Sequence, residues 1–153
     1  MDGGCTCGNV RYRLTGSPLI VHACYCTWCQ RETGSAFVIN LWMEARHVAV
    51  TGEPVAVTLA SESGAGQVVY RCPDCQVAVF SQYSSGPAFR FVRGGTLDDP
   101  SAVTPDVHIY TSTKLPWVQL GDDIPVFEGY YRRSEIWRPE AYNRYQAARA
   151  AAS

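Results

Sequence analysis

The chain has 153 residues, of which 46% are hydrophobic and 18% charged, and its formal net charge is -1. This is the profile of one globular domain long enough to bury a core, not of a disordered chain. Near-neutral charge gives nucleic acid or an anionic membrane no electrostatic hold, and no apolar run approaches the ~20 residues that span a bilayer.

Met1-Asp2-Gly3-Gly4-Cys5 has neither a basic start nor an apolar stretch, so no signal peptide is visible and the cytoplasm is the expected location. Cys5-Thr6-Cys7-Gly8 reads as a tight turn whose glycine can take a positive φ. Val10-Arg11-Tyr12-Arg13-Leu14 alternates apolar and charged residues, as a half-buried strand does. After a turn at Thr15-Gly16-Ser17-Pro18, residues 19–24 form a short apolar strand. That strand runs into Cys24-Tyr25-Cys26-Thr27-Trp28-Cys29. Residues 30–35 are polar and loop-like, and 36–42 are an apolar strand.

Short strands are expected at 48–50 and Val55–Leu59, with a flexible loop over 61–66. Gln67–Arg71 enters a second cysteine turn at Cys72-Pro73-Asp74-Cys75, and 77–80 leaves it. Another strand covers 88–93. Residues 94–106 are rich in Pro and Asp, and 108–111 are extended. Pro139–Ala151 is the one good helix, with proline suited to its first turn and an alanine-rich body. Seven or more short strands read as a mainly antiparallel β fold.

The chain has seven cysteines, an odd number that no closed disulfide set absorbs. In a reducing compartment, close cysteine pairs point to metal instead. Seven divides into four plus three. Cys5, Cys7, Cys72 and Cys75 suit a closed tetrahedral zinc site that staples the first strand to the middle hairpin. Cys24, Cys26 and Cys29 supply three thiolates, and here two readings stand. One is a catalytic zinc with an exchangeable fourth position; the other is a second structural zinc completed by His22, His47 or His108. Zinc is favoured because clustered thiolates select a soft or borderline ion; an iron–sulfur cluster usually takes four cysteines. An open tris-thiolate zinc has blunted Lewis acidity but still deprotonates a bound thiol, so it suits thiol chemistry better than hydrolysis.

The chain resembles the glutathione-dependent formaldehyde-activating enzyme family, which also includes centromere protein V. The residues carrying the resemblance are Cys5-Thr6-Cys7-Gly8-Asn9-Val10-Arg11-Tyr12, Cys24-Tyr25-Cys26-Thr27-Trp28-Cys29-Gln30-Arg31 with Thr33-Gly34-Ser35-Ala36-Phe37, and Cys72-Pro73-Asp74-Cys75. His108-Ile109-Tyr110 and Lys114-Leu115-Pro116-Trp117 add a C-terminal echo. The resemblance implies a complex, mainly β fold with zinc-knuckle hairpins. It implies two zincs per chain: a structural one on Cys5, Cys7, Cys72 and Cys75, and a catalytic one on Cys24, Cys26 and Cys29. The implied activity is carbon–sulfur lyase chemistry on a glutathione–formaldehyde adduct such as S-(hydroxymethyl)glutathione.

Two positions depart from the family pattern. Many relatives have His at the position of Tyr25, and many have Gly at the position of Gln76, where a non-glycine takes the knuckle geometry at some cost. Glutathione carries two carboxylates, so an arginine at the site mouth is expected; Arg31 is nearest the triplet in sequence, with Arg71 and Arg93 behind it. Trp28, Trp42, Trp117 and Phe37 are candidate pocket walls, and Tyr25, His108 and Lys114 candidate neighbours of the site. The rival readings are a non-catalytic zinc module and a carrier of the glutathione–formaldehyde adduct.

Overall fold

A computed structural model describes residues 1–152. It is mainly β, with ten strands among the described residues. The strands are β1 (Asp2–Gly4), β2 (Arg11–Leu14), β3 (Ile20–Cys24), β4 (Val38–Glu44), β5 (Val48–Thr51), β6 (Val55–Leu59), β7 (Gln67–Arg71), β8 (Ala78–Tyr83), β9 (Phe89–Arg93) and β10 (Val107–Ile109). The helices are α1 (Thr27–Thr33), α2 (Arg133–Ile136) and α3 (Pro139–Ala151).

A seven-stranded sheet has the order β10-β3-β4-β9-β8-β7-β6, and a three-stranded sheet the order β1-β2-β5. Pairing is antiparallel except at the edge, where β10 joins β3 in parallel. Successive strand residues face opposite sides, and here that period sorts two chemistries. One face of the large sheet carries His22 and Cys24 on β3, Asn40 and Trp42 on β4, and Phe91 and Arg93 on β9, in cross-strand register. This face packs against the C-terminal segment around Tyr131, Trp137 and Tyr145. The opposite face carries Val21, Leu41, Met43 and Val92, and packs with Tyr12, Leu14 and Val48 of the small sheet. Cys24, Cys26 and Cys29 belong to the first cluster, and Cys5 and Cys72 to the second.

A buried ion pair fixes the C-terminal segment. The Glu44 side chain is 1% exposed, and Arg144 of α3 donates to it from Nε at 3.0 Å and from Nη2 at 2.6 Å. Burial is the largest single influence and opposes ionisation, but the Arg144 hydrogen bonds, a backbone hydrogen bond and the Arg144 charge together hold the carboxyl below the usual range.

Three features differ from the sequence expectation. Residues 27–33 form a helix where a polar loop is expected over 30–35. Its only buried residue is Cys29, so there is no apolar stripe to read. The N-cap is a cysteine, Cys26, whose Sγ accepts from the Cys29 N–H at 3.4 Å. Gly34 ends the helix with φ +60°. Strand β1 is unforeseen because two of its three residues are glycines, which carry no hydrophobic signal. Helix α2 is a single turn, too short for periodicity to show.

Candidate functional site

Two groups of thiols converge. Cys5 and Cys7 lie on the turn before β2, and Cys72 and Cys75 on the turn between β7 and β8. Within each, the backbone folds back around the first sulfur: Cys5 N donates to Val10 O at 2.9 Å and Cys72 N to Val77 O at 3.0 Å. Gly8 takes φ +85°, and Gln76, a non-glycine, takes φ +61°. The Gln76 amide donates to Pro73 O at 2.6 Å, which offsets part of the cost of that left-handed backbone. A side-chain bond from Asn9 to Asp74 ties the two turns together. The Cys7 sulfur lies 3.5 Å from those of Cys5 and Cys72. All four sulfurs fall within 4.8 Å of one another. A tetrahedral zinc with four Zn–S bonds sets its sulfurs about 3.8 Å apart, so this donor set fits such an ion.

Cys24, Cys26 and Cys29 form the second group, also within 4.8 Å of one another and all buried. Strand β3 ends at the first of them, and α1 curls the other two around it. Among the described residues, no His, Asp or Glu joins the three sulfurs. The three histidines are engaged elsewhere. His22 Nε2 pairs with Tyr131 Oη at 2.6 Å, His47 Nδ1 with Thr15 Oγ1 at 3.1 Å, and His108 Nδ1 with Tyr25 Oη at 3.0 Å. The donor set therefore fits three positions of a tetrahedral thiophilic ion and leaves the fourth without a side chain.

The packing of three sulfurs also decides their protonation. Hydrogen bonds from Cys24 and Cys29 pull the Cys26 thiol down to about 3. The same bonds push Cys24 far above the ordinary thiol range. Cys29 is pulled down by Cys24 but pushed further up by Cys26 and by burial, to about 12. One thiolate is thus at hand near neutral pH, and a metal ion must displace the other protons. Arg93 works in favour of the Cys29 thiolate. Its guanidinium is buried, bonds Asn40 Oδ1 and Ser81 Oγ, and has no carboxylate partner among the described residues. A buried cation without a carboxylate is costly unless another anion lies near, and the Cys29 sulfur is close enough to feel its charge.

The three sulfurs line a cavity of about 340 Å³ that extends over the large sheet. This lies near the lower end of small-molecule sites, which run from about 300 to 1,000 Å³. Its walls include Trp28, Trp42, Tyr83 and Phe91, with Tyr110, Tyr130 and Arg133 from the C-terminal part of the chain. Burial and the nearby Arg133 charge push the pKa of His22, which also lines the cavity, down to about 3, so the imidazole is neutral.

Several residues expected near the site stand apart from this cavity. Arg31 is exposed on α1 and is not among the lining residues. Arg71 is paired with Glu32. Tyr25 is buried against Phe37 and His108 and does not line the cavity. Lys114 donates to the backbone of its own loop, at Leu115 O and Val118 O, and Trp117 is 69% exposed. Arg133, Tyr130, Gln67 and Ser85 line the cavity without having been singled out in sequence. They lie in no cysteine motif; the one hint was the aromatic–basic run Tyr130-Tyr131-Arg132-Arg133.

Comparison with known proteins agrees with this arrangement. The family model of glutathione-dependent formaldehyde-activating enzyme matches residues 1–113. The chain belongs to that family. A protein of Halomonas elongata, provisionally named a glutathione-dependent formaldehyde-activating enzyme, is 27% identical over 126 residues, covering 78% of this chain and 80% of the relative. A crystal structure of a Rhodobacter sphaeroides protein is similar in fold, with a TM-score of 0.52 at 17% identity, over 83% of this chain and 100% of the other. The glutathione-dependent formaldehyde-activating family match spans all seven cysteines and ends before Tyr130, Arg133 and α3. The segment that roofs the cavity therefore lies outside the region that the family model matches.

Proposed function

We propose that the chain is a single zinc-binding domain over residues 1–153, with one structural and one catalytic zinc. In this reading it acts in the cytoplasm as a carbon–sulfur lyase on a thiol–aldehyde adduct such as S-(hydroxymethyl)glutathione. One observation carries the reading. Three buried thiols converge on the wall of a cavity with no fourth His, Cys, Asp or Glu among the described residues, whereas a second group elsewhere brings four thiols together.

Cys5, Cys7, Cys72 and Cys75 hold the structural ion. Cys24, Cys26 and Cys29 hold the other. A zinc held there would supply a position for an exogenous sulfur and favour its deprotonated form. The chain's own residues do the rest. Trp42, Tyr83 and Phe91 exclude water from the reacting carbon. The Arg93 charge favours the Cys29 thiolate. His22, held neutral by burial, adds no competing cation to the cavity wall. Arg31, exposed two residues beyond Cys29, is available to a carboxylate at the surface.

In the forward direction a C–S bond forms between the thiol sulfur and the aldehyde carbon. The carbonyl π bond opens, and the proton lost by the thiol ends on the aldehyde oxygen. The lyase direction is the reverse.

Exchange-detected NMR of formaldehyde with glutathione, at graded protein concentration, tests the proposal. The expected result is an exchange rate rising in proportion to metal-replete protein and falling to the uncatalysed rate after chelation. Binding of glutathione with no change in rate would reassign the chain as a carrier, and neither binding nor rate as a non-catalytic module.

A further inference from the structure

Among the described residues, five buried side-chain N or O atoms have no hydrogen-bond partner, and four belong to residues lining the cavity: Trp42 Nε1, Arg133 Nε, Gln67 Oε1 and Ser85 Oγ. Unpaired buried polar groups are rare in folded proteins because each forfeits its hydration. A concentration of them around one cavity points to a ligand that completes them.

Their chemistry sorts into two kinds. An indole N–H and a guanidinium N–H can only donate. Trp42 is 2% exposed, and the Arg133 guanidinium lies over its ring, 5.0 Å from the centroid. Tyr130 and Tyr145 flank the same guanidinium at 5.9 and 5.2 Å. Arg133 Nη1 donates to Tyr145 Oη at 3.2 Å, and no carboxylate forms an ion pair with Arg133 among the described residues. The aromatic rings fix the fork without neutralising it. The other pair favours the opposite partner. Gln67 Nε2 donates to Ala60 O at 3.0 Å, which settles the amide orientation and leaves Oε1 as an acceptor. Ser85 Oγ can accept as well. The lining residues include one acid, Glu62, and one guanidinium, Arg133.

We propose that Trp42 and Arg133 form a carboxylate subsite of this cavity and Gln67 and Ser85 an N–H-accepting subsite. The ligand class is then a thiol with an amino-acid or peptide body, and simple thiols or aldehydes bind without these contacts. The inference rests on the proposed thiol site for what lies at the sulfur end, but the two subsites are read from other atoms. It also assigns a role to the C-terminal segment, because Arg133 lies beyond the residues that the family model matches.

The test uses S-methylglutathione, which has no free thiol, and its diethyl ester, which has no free carboxylate. The indole N–H resonance of Trp42, assigned with Trp42→Phe, reports the carboxylate end. We expect the acid to move that resonance downfield and to bind about 10- to 100-fold more tightly than the ester, the range for a charge-assisted hydrogen bond. Arg133→Gln should erase that preference while leaving ester binding within about threefold, which also serves as the folding control. Arg133→Lys should restore part of it. Equal binding of acid and ester by the unaltered protein, or no shift of the Trp42 resonance at millimolar acid, would overturn the proposal without any variant. Free glutathione with cobalt-substituted protein separates this failure from that of the thiol site. A thiolate-to-cobalt absorption change whose midpoint ignores Arg133→Gln keeps the thiol site and sinks the carboxylate subsite. Loss of that change with the acid–ester preference intact does the reverse.

Discussion

The two cysteine groups are similar in local construction and different in surroundings. In both, a short turn wraps backbone around a sulfur. The four-thiol group sits where two turns meet, linked across by Asn9 and Asp74, and its members come from positions 65 residues apart. None of its four cysteines lines the cavity that the other group faces. The three-thiol group comes from one stretch of six residues, is fully buried, and forms the wall of the cavity roofed by the C-terminal segment. A group that joins distant chain segments and is coordinatively complete suits a fastening. A group that is local, incomplete and cavity-facing suits exchange of a ligand. The difference lies in closure and access rather than in residue type.

The largest expected effect breaks the fastening. Cys72→Ser removes a ligand from the four-thiol group, and structural zinc is worth on the order of 10 kcal/mol. We expect loss of the cooperative unfolding transition in circular dichroism, with both metals lost. A variant that kept its transition and lost only one metal would make the two groups equivalent. Next comes the roof over the other group. Arg144→Ala leaves the buried Glu44 carboxylate only the longer Arg46 contact at 3.6 Å and should cost up to about 3–5 kcal/mol in urea unfolding at pH 7. The sign with pH follows from the direction of the Glu44 shift. A carboxyl held below its unfolded value contributes stability above the unfolded pKa, which is lost as pH falls through the folded one. The parent protein should therefore lose stability on acidification below about 4.5, and Arg144→Ala should flatten that limb.

Cys26→Ser sharpens the contrast from the other side. It should leave the fold cooperative, release one metal per chain by elemental analysis, and lower formaldehyde–glutathione exchange by about 100-fold or more, the scale of removing an organising group. Unchanged exchange would disconnect the three-thiol group from any chemistry. The smallest effect is at Gln76. Gln76→Gly relieves a non-glycine at φ +61° but forfeits the bond to Pro73 O, so we expect a gain of at most about 1 kcal/mol, with both metals retained.

Much of this was legible in the chain. Val55–Leu59, Gln67–Arg71 and Pro139–Ala151 have the bounds that alternation and helix-start signals predict. The division of seven cysteines into four and three matches the two groups that converge. Spacing carried that information because metal-binding turns are local. What was not legible is whatever depends on distant packing. Helix α1 hides because its N-cap is a thiol and only one of its residues is buried. Arg31 was favoured for its nearness to Cys29 in sequence, yet the cation that lines the cavity is Arg133, more than a hundred residues from the triplet. Proximity along a chain finds ligands on one turn; it does not find the far wall of a cavity.

The parallel edge strand has a consequence for how the protein is made. Tyr25 N donates to Ile109 O, and β10 lies against β3 along Val107–Ile109. A ribosome delivers the triplet early and its flanking strand some eighty residues later. During that interval the nascent chain exposes a naked strand edge and three unfinished sulfurs. The surroundings of the three-thiol group are therefore completed late in synthesis, after the strand that covers its edge has emerged.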